Sequence, residues 1–185
     1  MSGNPATVLV VDDEPNVTEV YAMWLEDEYH VRTATGGQEA IDDMDDDVEV
    51  VLLDRRMPEM TGDEVLERIR EDGYDCEVAM VTAVDPDFDI VDLPFDAYVT
   101  KPLMPEDLNG VVSRLLDLEE DEEVTREGFR LRETRDALAE EKHEKELEES
   151  EEFDRLTTRL EELREEVKDT VESINERDSD GGTDD

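Results

Sequence analysis

Three carboxylates, one hydroxyl and one ammonium in the first 101 residues could do chemistry together. Asp12 and Asp13 close the apolar run VLVV, Asp54 closes VEVVLL, Thr82 follows EVAMV, and Lys101 follows DAYVT. If these runs are strands of one parallel sheet, their carboxyl ends converge, and sites form at that edge. Carboxylates brought together repel one another and resist ionisation unless a cation intervenes. A hard divalent ion, most simply Mg²⁺, meets that need, because it takes a few oxygen ligands and keeps several waters. A metal, a lysine and a threonine hydroxyl around one carboxylate suit a transferring phosphoryl group, whose oxygens need neutralising from several sides. Asp54 is then the nucleophile and acceptor.

Lys101 is the only lysine before residue 142 in a chain that otherwise uses arginine. Solvation alone does not call for lysine. A compact ammonium reaching one oxygen does, since arginine's planar fork has a different geometry. Each residue alone has a plainer reading: a DD pair after a strand is commonly a loop or helix cap, Thr82 a strand residue, and Tyr98 and Trp24 packing. Their joint occurrence is what points to an acceptor site.

The elements that must position these residues are visible as alternating short apolar runs and amphipathic segments, the pattern of a parallel sheet covered on both faces. Strands are expected at 8–12, 30–35, 48–54, 77–83 and 96–101. Val17, Val20, Tyr21, Trp24 and Leu25 form one helical stripe after Pro15, which suits an opening turn. GGQEAIDDM gives a second helix, with Ala40, Ile41 and Met44 inward. Thr61 with Glu64 three residues on reads as a capping box before Val65, Leu66 and Ile69. Residues 105–118 supply a closing helix. Between the last two strands, Pro86 and Pro94 restrict VDPDFDIVDLPF to about two helical turns. The expected fold is therefore α/β, a five-stranded doubly wound, flavodoxin-like sheet over 1–118, followed by an all-α hairpin or coiled coil over 119–176 and a disordered acidic tail over 177–185.

In the helical part, Phe153, Leu160, Val167 and Ile174 fall seven apart, and Leu156 and Leu163 complete a heptad seam. An earlier helix from about Val124 carries Leu131 and Leu138. The polar stretch 140–152 is either the turn of a hairpin or a section of solvated rod.

The 185 residues hold 59 acids and 18 bases, a net charge of −41, shared by both parts of the chain. Such a surface, with four lysines, suits a cytosol at molar salt, where the Debye length is about 3 Å, and implies a halophile, an archaeon. Cys76 is the single cysteine, so neither an intramolecular disulfide nor a cysteine metal set is available. A cytoplasmic, soluble protein with no membrane span is expected.

VLVVDDEP, VVLLDRRMPEMTGDEVL, VTA and AYVTKP, in that order, resemble the receiver domain of bacterial and archaeal response regulators over about residues 5–118. The resemblance implies phosphorylation of Asp54 by a sensor histidine kinase, Asp13 as direct Mg²⁺ ligand with Asp12 acting nearby through water, and the backbone carbonyl of Arg56 completing the metal site. It implies that Thr82 and Lys101 contact the phosphoryl group and that Thr82 and Tyr98 form the switch. The short segment at 84–95 departs from the family, whose usual output face includes a full helix there. Arg55 and Arg56 place two cations beside the acceptor, and Arg56 is positioned to shield the phosphoryl group from water.

From residue 119 the composition and the EFDRLTTRLEEL seam resemble the HalX domain of haloarchaea, which implies an output role in transcription regulation. Direct DNA contact fits poorly. The basic cluster Arg126, Arg130, Arg132 and Arg135 sits in a part of net charge −17, and phosphate neutralisation weakens steeply with salt. A protein target, or a homodimer through the C-terminal helices, fits better. Two further readings remain: a phosphorylation-controlled interaction module without DNA binding, and a Mg²⁺-dependent aspartyl-phosphate phosphatase, an enzyme that would carry an Asp where Arg56 stands. The first site reading makes the chain a phosphoacceptor that assists its own phosphotransfer and dephosphorylation, and not an enzyme acting on others. A scaffold with a vestigial acceptor is the bland reading.

Overall fold

The computed structural model describes residues 3–118 and 123–180. The acidic connector at 119–122 and the last five residues of the tail lie outside them. The elements are β1 (Thr7–Val11), α1 (Pro15–Leu25), β2 (His30–Ala34), α2 (Gly37–Asp43), β3 (Val48–Leu53), α3 (Gly62–Glu71), β4 (Glu77–Thr82), a 3-10 helix (Phe88–Asp92), β5 (Ala97–Thr100), α4 (Pro105–Leu118), α5 (Glu123–Glu141), α6 (Glu144–Glu149) and α7 (Glu151–Asp180). All strands pair in parallel, in the order β2-β1-β3-β4-β5. β1 and β4 are buried along their whole length and β3 nearly so, whereas the edge strand β2 is partly exposed. Continuous apolar runs in the middle and a mixed run at the edge follow from burial on both faces.

The strands are shorter than expected. Asp12, Asp54 and Lys101 each lie one residue past the strand end, in the first loop position. Each still donates its backbone N–H to a neighbouring strand's carbonyl: Asp12 to Ala34 (3.2 Å), Asp54 to Val11 (2.9 Å) and Lys101 to Thr82 (2.8 Å). The chemistry-bearing residues thus leave the ladder while their backbones remain pinned to it. The expected cap of α3 is present, with Glu64 N donating to Thr61 Oγ1 (3.2 Å) and Thr61 N to Glu64 Oε2 (2.7 Å).

Two apolar clusters sandwich the sheet. One joins Val8, Val10, Val50, Leu52 and Val81 to α1 and α4 through Leu25, Leu108, Val112 and Leu115. The other joins Leu9, Val51, Leu53 and Met80 to α3, and it extends through Ile90, Phe95 and Tyr98 to Leu138 of α5 and Leu156 of α7. The short 84–95 segment explains this extension. A five-residue 3-10 helix cannot cover the β4–β5 end of the sheet, and α5 and α7 pack against β5 and the 3-10 helix instead.

The C-terminal part is therefore a hairpin of α5 and α7 turned by α6, not a rod. Ser150 opens α7 by accepting from Phe153 N (3.1 Å). α7 continues helical to Asp180, four residues into the stretch expected to be disordered, and the first helix-breaking glycines come immediately after it. The seam divides: Leu156 and Leu163 are buried, while Val167 and Ile174 are exposed.

Candidate functional site

The carboxyl ends of β1, β3, β4 and β5 bring the expected residues together. Asp12, Asp13 and Asp54 each offer a carboxylate oxygen, and the three oxygens lie within 4.8 Å of one another. Lys101 Nζ forms an ion pair with Asp12 and stands 3.6 Å from Asp54 Oδ2. Asp12 Oδ1 also accepts from Glu14 N (2.9 Å), which fixes the carboxylate's orientation. Thr82 is fully buried, its hydroxyl accepts from Val84 N (3.2 Å), and it lies close enough to Asp54 to favour that carboxylate's ionised form. Arg56 N approaches Asp54 Oδ1 at 3.4 Å, at the long end for a hydrogen bond.

Why Asp54 can sit so close to α3 is explained by Gly62. A Cβ at residue 62 would stand 2.1 Å from the carbonyl oxygen of Asp54, so only glycine allows the loop to close there. Gly62 N then donates to Arg55 O at 2.8 Å. The loop that carries the acceptor is folded back on itself.

Burial raises the pKa of Asp54; the Lys101 charge opposes this and Asp12 adds to it. Burial also acts to discharge Lys101, but the hydrogen bond to Asp12 and the charge of Asp54 outweigh it and raise its pKa, so the ammonium persists. Three carboxylates against one ammonium leave a local excess of negative charge, made of hard oxygen donors with one side open to solvent. That donor set fits a divalent cation such as Mg²⁺, with Asp12, Asp13 and Asp54 as its holders. The phosphatase reading finds no support at Arg56, which is exposed and supplies no second carboxylate beside the acceptor.

Arg55 departs from expectation. It does not stand beside the acceptor: Nε and Nη2 donate to the two carboxylate oxygens of Asp63 (3.0 and 3.1 Å), and Nη2 donates to Asp89 as well. Burial disfavours its charge, but Asp63, Asp89 and the Tyr98 hydroxyl outweigh this. One side chain thus ties the residue after the acceptor to the start of α3 and to the 3-10 helix. Tyr98 is buried beside it, edge-on to Phe95 with centroids 5.8 Å apart, and its hydroxyl donates to Val84 O (2.7 Å). Two contributors were not foreseen. Asp89 looked like one of many loop acids, and Tyr21, placed on a packing stripe, lies close enough to feel the charges of Lys101, Asp12 and Asp54.

Among the described residues no helix is long and apolar enough to cross a membrane. Residues 8–113 match the family model of the response regulator receiver domain, and residues 117–181 match that of the HalX domain. A "Putative transcriptional regulator" of Haloferax volcanii is 49% identical over 158 residues, which is 85% of this chain and 27% of that protein. The response regulator SaeR of Staphylococcus aureus is 32% identical over 113 residues, 59% of this chain and 50% of SaeR. The chain thus spans between about a quarter and a half of the length of these relatives. Among solved structures, the response regulator TrrA of Thermotoga maritima, in complex with Mg²⁺-BeF, superposes with a TM-score of 0.52 at 34% identity, covering 59% of this chain and 97% of that one. The receiver-domain match covers more than half of the chain, and the chain therefore belongs to the response regulators of two-component systems, a receiver domain followed by a HalX domain.

Proposed function

We propose that Asp54 accepts a phosphoryl group from a sensor histidine kinase in the cytoplasm, in a Mg²⁺-dependent reaction, and that the HalX helices carry the output through a protein target in transcription regulation. The convergence of Asp54 with Asp12, Asp13, Thr82 and Lys101 carries this reading. An Asp54 carboxylate oxygen attacks phosphorus; the new P–O bond forms as the bond from phosphorus to the kinase imidazole breaks, and the imidazole nitrogen keeps that electron pair. Bound at the three carboxylates, Mg²⁺ supplies charge neutralisation on the phosphoryl oxygens. Lys101 Nζ and the Thr82 hydroxyl bind the other oxygens, and exposed Arg56 covers the outer side against water. The chain is the acceptor, and its own residues assist transfer and hydrolysis without making it an enzyme for other substrates.

Treatment with acetyl phosphate and Mg²⁺ at molar salt is expected to add one phosphate per chain, mapped to Asp54 and absent in Asp54→Asn. An unmodified wild-type chain, or equal labelling of Asp54→Asn, sinks the reading. Arg56→Asn is expected to leave labelling intact and shorten the phosphoryl lifetime several-fold; an unchanged decay rate removes Arg56 from the account.

Against direct DNA contact, Arg126 and Arg135 already pair with Glu77 and Asp136, and phosphate binding at molar salt is weak in any case. A salt-resistant, sequence-specific complex with DNA would overturn the protein-target reading.

A further inference from the structure

Apolar side chains of α7 fall at Leu160, Leu163, Val167, Val171 and Ile174, at intervals of three, four, four and three residues. The series reads the same in both directions about Val167. These spacings place all five on one stripe of the helix. Leu163 is buried against α5 and Leu160 is half-buried, but Val167, Val171 and Ile174 are 46%, 51% and 53% exposed. A stripe that begins as the core of the hairpin ends bare.

Its near half lies in a groove between α5 and α7. Leu160, Leu163 and Val167 form the floor with Gly128 of α5, and Arg132, Arg135 and Arg164 form the walls with Thr157 and Glu161. Gly128 lies inside α5, where glycine is a poor helix former. A Cβ at that position would meet nothing within 4 Å, so packing within one copy does not require the glycine. Arg132 donates to the Gly128 carbonyl at 3.3 Å. Arg135 pairs with its neighbour Asp136, and among the described residues Arg132 and Arg164 have no carboxylate within 4.0 Å. In a chain with 59 acids to 18 bases, a groove wall with three arginines to one glutamate is unusually basic.

We propose that the groove receives α7 of a second copy of this chain, running antiparallel, with the two-fold axis at Val167. In that register Val167 meets its counterpart, Leu163 faces the second copy's Val171, and Leu160 faces its Ile174. A two-fold interface needs a self-complementary patch, and the palindromic spacing provides one. Glu165, Asp169 and Glu172 point away from the stripe at the helical period; Glu166 lies beside it, paired with Arg159 of its own helix, and is the acid that the incoming helix brings to the groove. Gly128 lets the incoming helix approach α5 closely. The pairing does not depend on Asp54, so its test is separate from that of the acceptor chemistry.

Sedimentation of the full chain at molar salt is expected to give a dimer. Val167→Glu and Gly128→Leu are expected to give monomers that keep the wild-type helical circular-dichroism signal and whose unfolding midpoint no longer rises with protein concentration, as that of a dimer does. Under mild oxidation in a Cys76→Ser background, Val167→Cys is expected to form a covalent dimer and Ile174→Cys to form none, while Ile174→Cys mixed with Leu160→Cys cross-links. A monomeric wild type overturns the proposal, as does a dimer that survives both substitutions. Efficient cross-linking of Ile174→Cys to itself overturns the antiparallel register in favour of a parallel coil.

Discussion

Replacing Arg126 with alanine is expected to cost stability toward the lower end of the about 3–5 kcal/mol typical when one partner of a buried pair is removed, and to cost it mainly at alkaline pH. Glu77, at the start of β4, is 1% exposed. Its partner across the domain boundary is Arg126 of α5, and its Oε2 has no hydrogen-bond partner among the described residues. Burial and the neighbouring Asp96 push the Glu77 pKa up to about 8, against the pull of Arg126 and Arg70. Because the folded pKa is raised, the stability tied to this group is fully present below the unfolded value near 4.5, declines as pH rises, and is lost through about 8. Without Arg126 the ionised carboxylate has lost its nearest counterion, whereas the protonated one needs none. Urea unfolding at pH 6 and pH 9, in constant molar salt, should therefore show a small penalty for Arg126→Ala at the lower pH and a large one at the higher. Glu77→Gln should flatten the pH slope of the wild type and remove the penalty of Arg126→Ala. Equal penalties at both pH values would show that Arg126 acts by packing and not by charge.

That pair also shows where reading residues in order stops. Asp12, Asp13, Asp54, Thr82 and Lys101 were legible because their chemistry requires distinct residue types at strand ends, and strand ends can be found from apolar runs. Glu77 carries the same letter as dozens of surface acids, and only the arrival of Arg126 of α5 at the start of β4 distinguishes it. Arg55 adjoins Asp54, so adjacency placed its charge at the acceptor. The tight loop closed by Gly62 turns the side chain outward to Asp63 and Asp89 instead. The heptad seam was real, but its spacing is the same whether an apolar stripe meets a helix or a sheet. Spacing could not reveal that Leu156 enters the receiver core while Val167 does not.

Leu138→Ala is expected to cost about 2–5 kcal/mol, the range for deleting a buried leucine and leaving a cavity. Leu138 is 0% exposed and belongs to the same cluster as Ile90, Phe95 and Leu156, so it closes the core of the receiver from outside the receiver. The ion pairs around it are weaker by comparison. Lys142 reaches Asp87 at 3.0 Å and lies 5.5 Å from the centre of the Phe88 ring, but Asp87 is exposed, and exposed pairs contribute at most about 1 kcal/mol. Lys142→Ala should therefore shift the unfolding midpoint little, and Leu138→Ala strongly. Hydrogen exchange locates the loss. If the hairpin is held to β5 and the 3-10 helix by apolar contact, Leu138→Ala raises exchange in α5 and α7 more than in β1 and β3, and Asp54 still takes phosphate. If α5 keeps its protection while the whole sheet weakens, Leu138 serves the receiver core alone, and the hairpin docks by its charges. The first outcome makes the apolar contact of Leu138 and Leu156 with Ile90 and Phe95 the attachment of the HalX helices to the receiver.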